Sequence, residues 1–129
     1  MLFNQVSPSD TQLAELQAYP QNTPLVMLNI LKFKELTITN ETGQEAYTRY
    51  LKNATPFVEK SGAKLIWKGQ VHSTVIGNSS NQPHVVFLVE YPTVNHFFAM
   101  ISNPEYQKIA GDRAIALEYG GLIACQNTQ

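Results

Sequence analysis

The stretch that decides the fold is Pro24-Leu-Val-Met-Leu-Asn-Ile-Leu-Lys-Phe33. It is rich in β-formers and reaches only about half of the ~20 residues that a bilayer-spanning helix needs, so it reads as a strand. Strand side chains alternate between faces, which sets Val26, Leu28 and Ile30 against Leu25, Met27 and Leu31. Both faces are apolar. Asn29 is the only polar side chain between Leu25 and Leu31.

Outward from this strand the punctuation is regular. Upstream, Ser7-Pro8-Ser9-Asp10 reads as a helix start with Ser7 as cap and Pro8 in the first turn. Leu13 and Leu16 form a short apolar edge, and Pro20 ends it. Downstream, Thr42 and Glu45 form a capping box. The helix they open carries Ala46, Tyr47, Tyr50, Leu51, Ala54, Phe57 and Val58 on one stripe, with Arg49 and Lys52 facing away. Glu45 and Arg49 are spaced as an i,i+4 pair, Pro56 is placed to kink the last turns, and Gly62 is placed as the left-handed terminator. A second strand is expected over 63–77, with Gly69 as a possible bulge site. Residues 78–83 form a turn, and a third strand runs from His84 to Tyr91. Thr93 caps a further helix, Asn103-Pro104 restarts it, and a last strand lies near 117–126, with Gly120-Gly121 interrupting its start.

The order after the N-terminal helix is βαββαβ, the split βαβ or ferredoxin-like arrangement of the α+β class. Residues 1–22 are a helical extension and residues 24–126 the core of a single domain. Helices cover one face of such a sheet. The third strand repeats the two-faced pattern, with Val85, Phe87 and Val89 against Val86 and Leu88. An uncovered apolar face is a large sticky patch, so the expectation is a homodimer packed sheet to sheet.

Composition narrows the rest. The chain has 129 residues, 43% hydrophobic and 15% charged, with a net charge of −1 and one Cys. That suffices for a core, gives no electrostatic footprint for nucleic acid, and excludes an internal disulfide and a Cys-rich zinc site. The first ten residues lack the regions of a secretory signal, no apolar run spans a membrane, and the reading is a cytoplasmic protein. No nucleotide-binding glycine motif, nucleophile elbow, metal-ligand spacing or calcium loop occurs. No metal and no cofactor is expected, and neither is a nucleic-acid or membrane partner.

Val26-Met-Leu-Asn-Ile-Leu-Lys-Phe33, Gly43-Gln-Glu-Ala-Tyr47 with Tyr50, Trp67-Lys-Gly69, Val75-Ile-Gly77, Leu88-Val-Glu-Tyr-Pro-Thr93, Pro104-Glu-Tyr106 and Leu122-Ile-Ala124 together resemble an uncharacterised bacterial family of unknown function. That family belongs to the dimeric α/β-barrel superfamily. The resemblance covers residues 24–125 in order and implies a ferredoxin-like protomer in a face-to-face dimer. Superfamily relatives include cofactor-free monooxygenases, ring-modifying isomerases and haem-dependent enzymes, so the fold does not choose a reaction. Family members often carry Trp-Asp where this chain has Pro83-His84. They often carry an acidic residue and an Arg where it has Tyr119 and Gly121.

Five residues are candidates for a ligand site. An unpaired buried amide costs of order 1–3 kcal/mol, so Asn29 is aimed either at a ligand or at a partner that fixes register. Arg113 shares a helix face with Tyr106 and Ile109. It either binds a substrate oxygen or pairs with Glu118, Glu90 or Glu105. Tyr50, Tyr106 and Trp67, with Tyr47, either hold a flat organic ligand or pack the core. His72, His84 and His96 do not cluster, which leaves haem held by a single His as a minor option. Cys125 reads as a buried small hydrophobe. The leading expectation is a small-molecule-binding protein, with cofactor-independent monooxygenase- or isomerase-like chemistry as its enzymatic form. The alternative is a non-enzymatic dimeric binding or interaction protein.

Overall fold

A computed structural model describes residues 6–128. The element order is α1 (Asp10–Leu16), β1 (Leu25–Phe33), α2 (Gly43–Lys60), β2 (Lys64–Gln70), β3 (Val85–Tyr91), α3 (Val94–Ser102), α4 (Pro104–Ala116) and β4 (Leu117–Cys125). The four strands form one antiparallel sheet in the order β2-β3-β1-β4. This is the ferredoxin-like arrangement expected from the order of elements.

The helices start where their capping residues dictate. Thr42 accepts from the Glu45 amide at 3.1 Å and Glu45 returns the bond to the Thr42 amide at 2.9 Å. Thr93 and Asn103 cap α3 and α4. Gly62, at φ +83°, ends α2 in the left-handed region. The helix runs through Pro56 as one element.

Several local expectations are corrected. The α1 cap is Ser9, not Ser7, because Gln12 lies three residues on and closes a capping box with it. Met1–Gln5, part of the stretch read as lacking a signal, lie outside the described residues. Glu45 is committed to its cap, so Arg49 pairs instead with Glu41 at 2.7 Å and Asp112 at 3.5 Å, tying α2 to α4. The second strand stops at Gln70, not Gly77, and residues 71–84 form a loop. The β2 irregularity falls between Leu65 and Trp67 rather than at Gly69. Gly69 instead leaves room for the Trp67 ring, which occupies the space its Cβ would fill. Gly120 and Gly121 lie inside a continuous β4, paired with Leu31 and Ile30. Cys125 is half-buried and free.

Register assigns the faces. Leu25, Met27, Asn29 and Leu31 point to the helices, beside Val85, Phe87, Val89 and Tyr91 of β3. Leu25, Leu31, Val94 and Leu117 are almost fully buried in the core between the layers, each worth about 1.5–3 kcal/mol. The opposite face carries Val26, Leu28, Ile30, Val86, Leu88 and Ile123, and no helix among the described residues covers it. The 71–84 loop crosses one end of this face. Asn81 accepts from the Tyr119 hydroxyl and from Lys32, and Tyr119 is buried there.

Candidate functional site

A cavity of about 1010 Å³ lies between the helix-facing side of the sheet and α2, α3 and α4. That is the upper end of the ~300–1,000 Å³ typical of small-molecule sites. Its wall is mostly aromatic and aliphatic, with Tyr47, Tyr50, Phe87, Tyr91, Phe97 and Tyr106 among the rings. Four of the five residues singled out from sequence line it: Asn29, Tyr50, Tyr106 and Arg113.

Trp67 does not. It lies opposite Leu88, whose side chain points to the helix-free face, and it is 55% exposed on the edge strand. The shift in register after Leu65 decides the parity, and a shift of one residue turns a side chain to the other face. The sheet therefore separates Trp67 from the other four.

Asn29 is nearly buried. Its neighbours across the sheet on the same face are Phe87 and Leu122, both apolar. The side-chain amide donates to the Met27 carbonyl of its own strand at 3.2 Å. Its oxygen makes no hydrogen bond among the described residues. No fully buried side-chain polar atom among the described residues lacks a partner, so the Asn29 oxygen forms part of the accessible cavity wall.

Tyr50 on α2 and Tyr106 on α4 meet hydroxyl to hydroxyl at 2.6 Å. One O–H serves that bond, which leaves one phenolic proton for a third group. Burial pushes the Tyr47 hydroxyl up to about 12, against a smaller opposing effect of Arg113. Burial also raises Tyr50 and Tyr91 far above the ordinary phenol value. At neutral pH these groups are proton donors, not bases.

Arg113, on the last turn of α4, makes none of the three expected ion pairs. Its Nη1 donates to the Val6 carbonyl at 2.7 Å and its Nη2 to the Gly120 carbonyl at 3.1 Å. Gly120 makes this possible: a Cβ there would lie 2.8 Å from Nη2. The signal in the sequence was the glycine pair in an otherwise side-chain-rich strand, which marks close approach as well as interruption. Val6, Ser7 and Pro8 border the same cavity, and α1 flanks a second one of about 690 Å³ along β4 that shares Arg113.

The histidines lie elsewhere. His84 accepts from the Phe33 amide and stacks on its ring, His72 contacts Ser73, and His96 contacts Thr93. Among the described residues no group of three or more His, Cys, Asp or Glu side chains could hold a metal ion. No helix among the described residues is long and apolar enough to cross a membrane.

Solved structures agree with the architecture. A protein of unknown function from Rhodopseudomonas palustris is 30% identical, with 98% of each chain covered and a TM-score of 0.93. A dimeric protein of unknown function and ferredoxin-like fold from Bacteroides fragilis is 8% identical. The match covers 84% of this chain and 100% of that one, with a TM-score of 0.54. A hypothetical Arabidopsis thaliana protein is 13% identical, with 88% and 96% covered and a TM-score of 0.53. These last two likenesses concern the fold alone. No curated protein matches the chain. A family model matches residues 34–125. From the end of β1 through β4, the chain belongs to the family described as Domain of unknown function (DUF1330).

Proposed function

We propose that the protein binds a small organic molecule in the cavity between its sheet and its helices, as a homodimer. The observation that carries this reading is the Asn29 oxygen, a hydrogen-bonding group without a partner among the described residues on a mostly apolar wall. The spare phenolic proton of the Tyr50–Tyr106 pair and the guanidinium of Arg113 add donors. Together they suit a ligand with an apolar body and one or two oxygens.

The same donors would stabilise a developing oxyanion, as monooxygenase- or isomerase-like chemistry on an enolisable substrate requires. Such chemistry also needs a proton acceptor. Glu59, exposed near the end of α2, is the only carboxylate among the described lining residues, and no His is among them. Binding is therefore the reading preferred over catalysis.

The dimer rests on the helix-free face. Its half-buried aliphatic surface adjoins Trp67, and Val75 and Ile76 of the 71–84 loop are 89% and 94% exposed. A second copy would cover such a surface, and the Bacteroides fragilis neighbour is itself described as dimeric. The free thiol of Cys125 fits the reducing cytoplasm.

The test is a screen of small aromatic and aliphatic compounds by NMR, with assigned methyl groups of Met27 and Met100 as reporters. Ala110→Phe, which places a ring in the cavity, is the control. Hits should shift both methyls and lose affinity for the filled variant. Hits that bind both proteins equally, with the methyls unmoved, refute a ligand in this cavity.

A further inference from the structure

Arg113 combines a place on the cavity wall with the lack of an opposite charge beside it. Lys32, Arg49, Lys64 and Lys108 each pair with a carboxylate. Arg113, half-buried on the cavity wall, makes no ion pair among the described residues. Its partners are two neutral backbone carbonyls, with the Tyr47 phenol nearby. A guanidinium drawn out of water without an opposing charge is costly to keep. An anion entering the cavity would meet Arg113 half-buried on its wall, whereas Lys64, paired with Glu90, and Lys68, 6.0 Å from the centroid of the Phe87 ring, are exposed on the edge strand β2.

The two carbonyls are not equivalent. Gly120 is fixed in β4, opposite Leu31 in the central strand. Val6 lies outside any helix or strand, ahead of the seven-residue α1, with its side chain at the edge of the core. The Val6 bond is therefore the one that a stronger acceptor can replace. A carboxylate oxygen is such an acceptor, since it adds a full opposite charge to a bond that now has a charge at its donor end alone.

Resting on the cavity reading above, we infer that the ligand is an apolar carboxylic acid whose carboxylate takes the place of the Val6 carbonyl at Arg113 while its body lies among Tyr47, Tyr50, Phe87 and Tyr106. No covalent step is involved. The exchange gives Arg113 its missing counter-charge and releases the Val6–Pro8 strap that borders the cavity, so binding and strap opening are one event.

The experiment compares acids with their uncharged carboxamides: 2-naphthoate with 2-naphthamide, 4-phenylbutyrate with its amide, and octanoate with its amide. Affinities are measured by calorimetry at pH 7. At least one acid should bind at least tenfold more tightly than its amide. That ratio should fall to near one in Arg113→Met and be largely kept in Arg113→Lys, with circular dichroism confirming that both variants fold. The Val6 and Ser7 amide resonances should shift with the acid and not with the amide. Equal binding of acid and amide, or an acid preference that survives Arg113→Met, overturns the carboxylate inference and leaves the cavity reading standing. If no member of any pair binds, both fall.

Discussion

Replacing Asn29 with Leu separates a ligand contact from a structural amide by the sign of the stability change. In the structure the side chain makes one hydrogen bond, at 3.2 Å, to a carbonyl of its own strand. Removing it forfeits about 0.5–1.5 kcal/mol. Leucine is close in size and lands between Phe87 and Leu122, where burying it gains about 1.5–3 kcal/mol. The cavity leaves part of that surface uncovered, so the net expectation is a gain of about 1 kcal/mol. With a urea slope of about 1–3 kcal/mol per molar, the midpoint should rise by roughly half a molar. The assay is equilibrium urea unfolding at fixed protein concentration, because association contributes to apparent stability. In parallel, affinity for the compounds that shift the Met27 methyl should drop. Were Asn29 a register device, its loss would orphan a buried partner and cost about 1–3 kcal/mol. A midpoint lowered by that amount, with ligand affinity unchanged, would refute the argument.

Gly120→Ala should push Arg113 off its seat, since the new methyl would stand 2.8 Å from Nη2 and 2.6 Å from the Leu117 side chain. A loss of about 1–3 kcal/mol in thermal unfolding, with the Val6 amide resonance displaced, is the expected result. The Tyr50→Phe, Tyr106→Phe double-mutant cycle should give a coupling of about 1 kcal/mol. Additive single effects would show that the 2.6 Å contact contributes nothing. Alkaline pH should unfold the protein through its buried phenols. Tyr47 titrates near 10 in the unfolded chain and at about 12 in the fold, so its contribution is full below pH 10 and is lost as pH rises through 12. At 1.4 kcal/mol per tenfold, that contribution is about 3 kcal/mol, and Tyr47→Phe should flatten the pH dependence of the urea midpoint there. Trp67→Glu should sediment as a monomer at concentrations where the parent is a dimer, with α-helical circular dichroism unchanged.

The fold was legible because its signals are local. Capping pairs three residues apart, alternation in 25–31 and 85–89, and Gly62 at a helix end each act within a few residues. The errors also have local causes. Ser7 and Ser9 both suit a cap, and the choice fell to Gln12, whose side chain completes the box at one of them. Residues 71–77 carry β-formers, but β3 ends pairing at Gln70 and offers them no partner strand. Propensity without a neighbour does not make a strand. Trp67 reads as a site residue for its aromatic ring and polar N–H alone, and the face it takes is set by the register shift after Leu65, which no local pattern announces.

The site was legible only where one residue breaks a local pattern. Asn29 interrupts an apolar strand, and Arg113 follows Tyr106 and Ile109 around a helix, so both were visible one at a time. Their surroundings depend on tertiary contacts. Arg113 reaches Val6 across 107 positions and Tyr50 reaches Tyr106 across 56, and no periodicity carries information over such distances. The expected carboxylate partners for Arg113 followed from a sound rule, that charged groups are seldom buried unpaired. The structure departs from that rule at Arg113, on a cavity wall next to the short Val6–Pro8 strap. A charge left unbalanced at such a point costs stability in the free protein. Binding an opposite charge would recover that cost, and a preference for an acid over its amide that depends on Arg113 is what separates a ligand from packing as the cause.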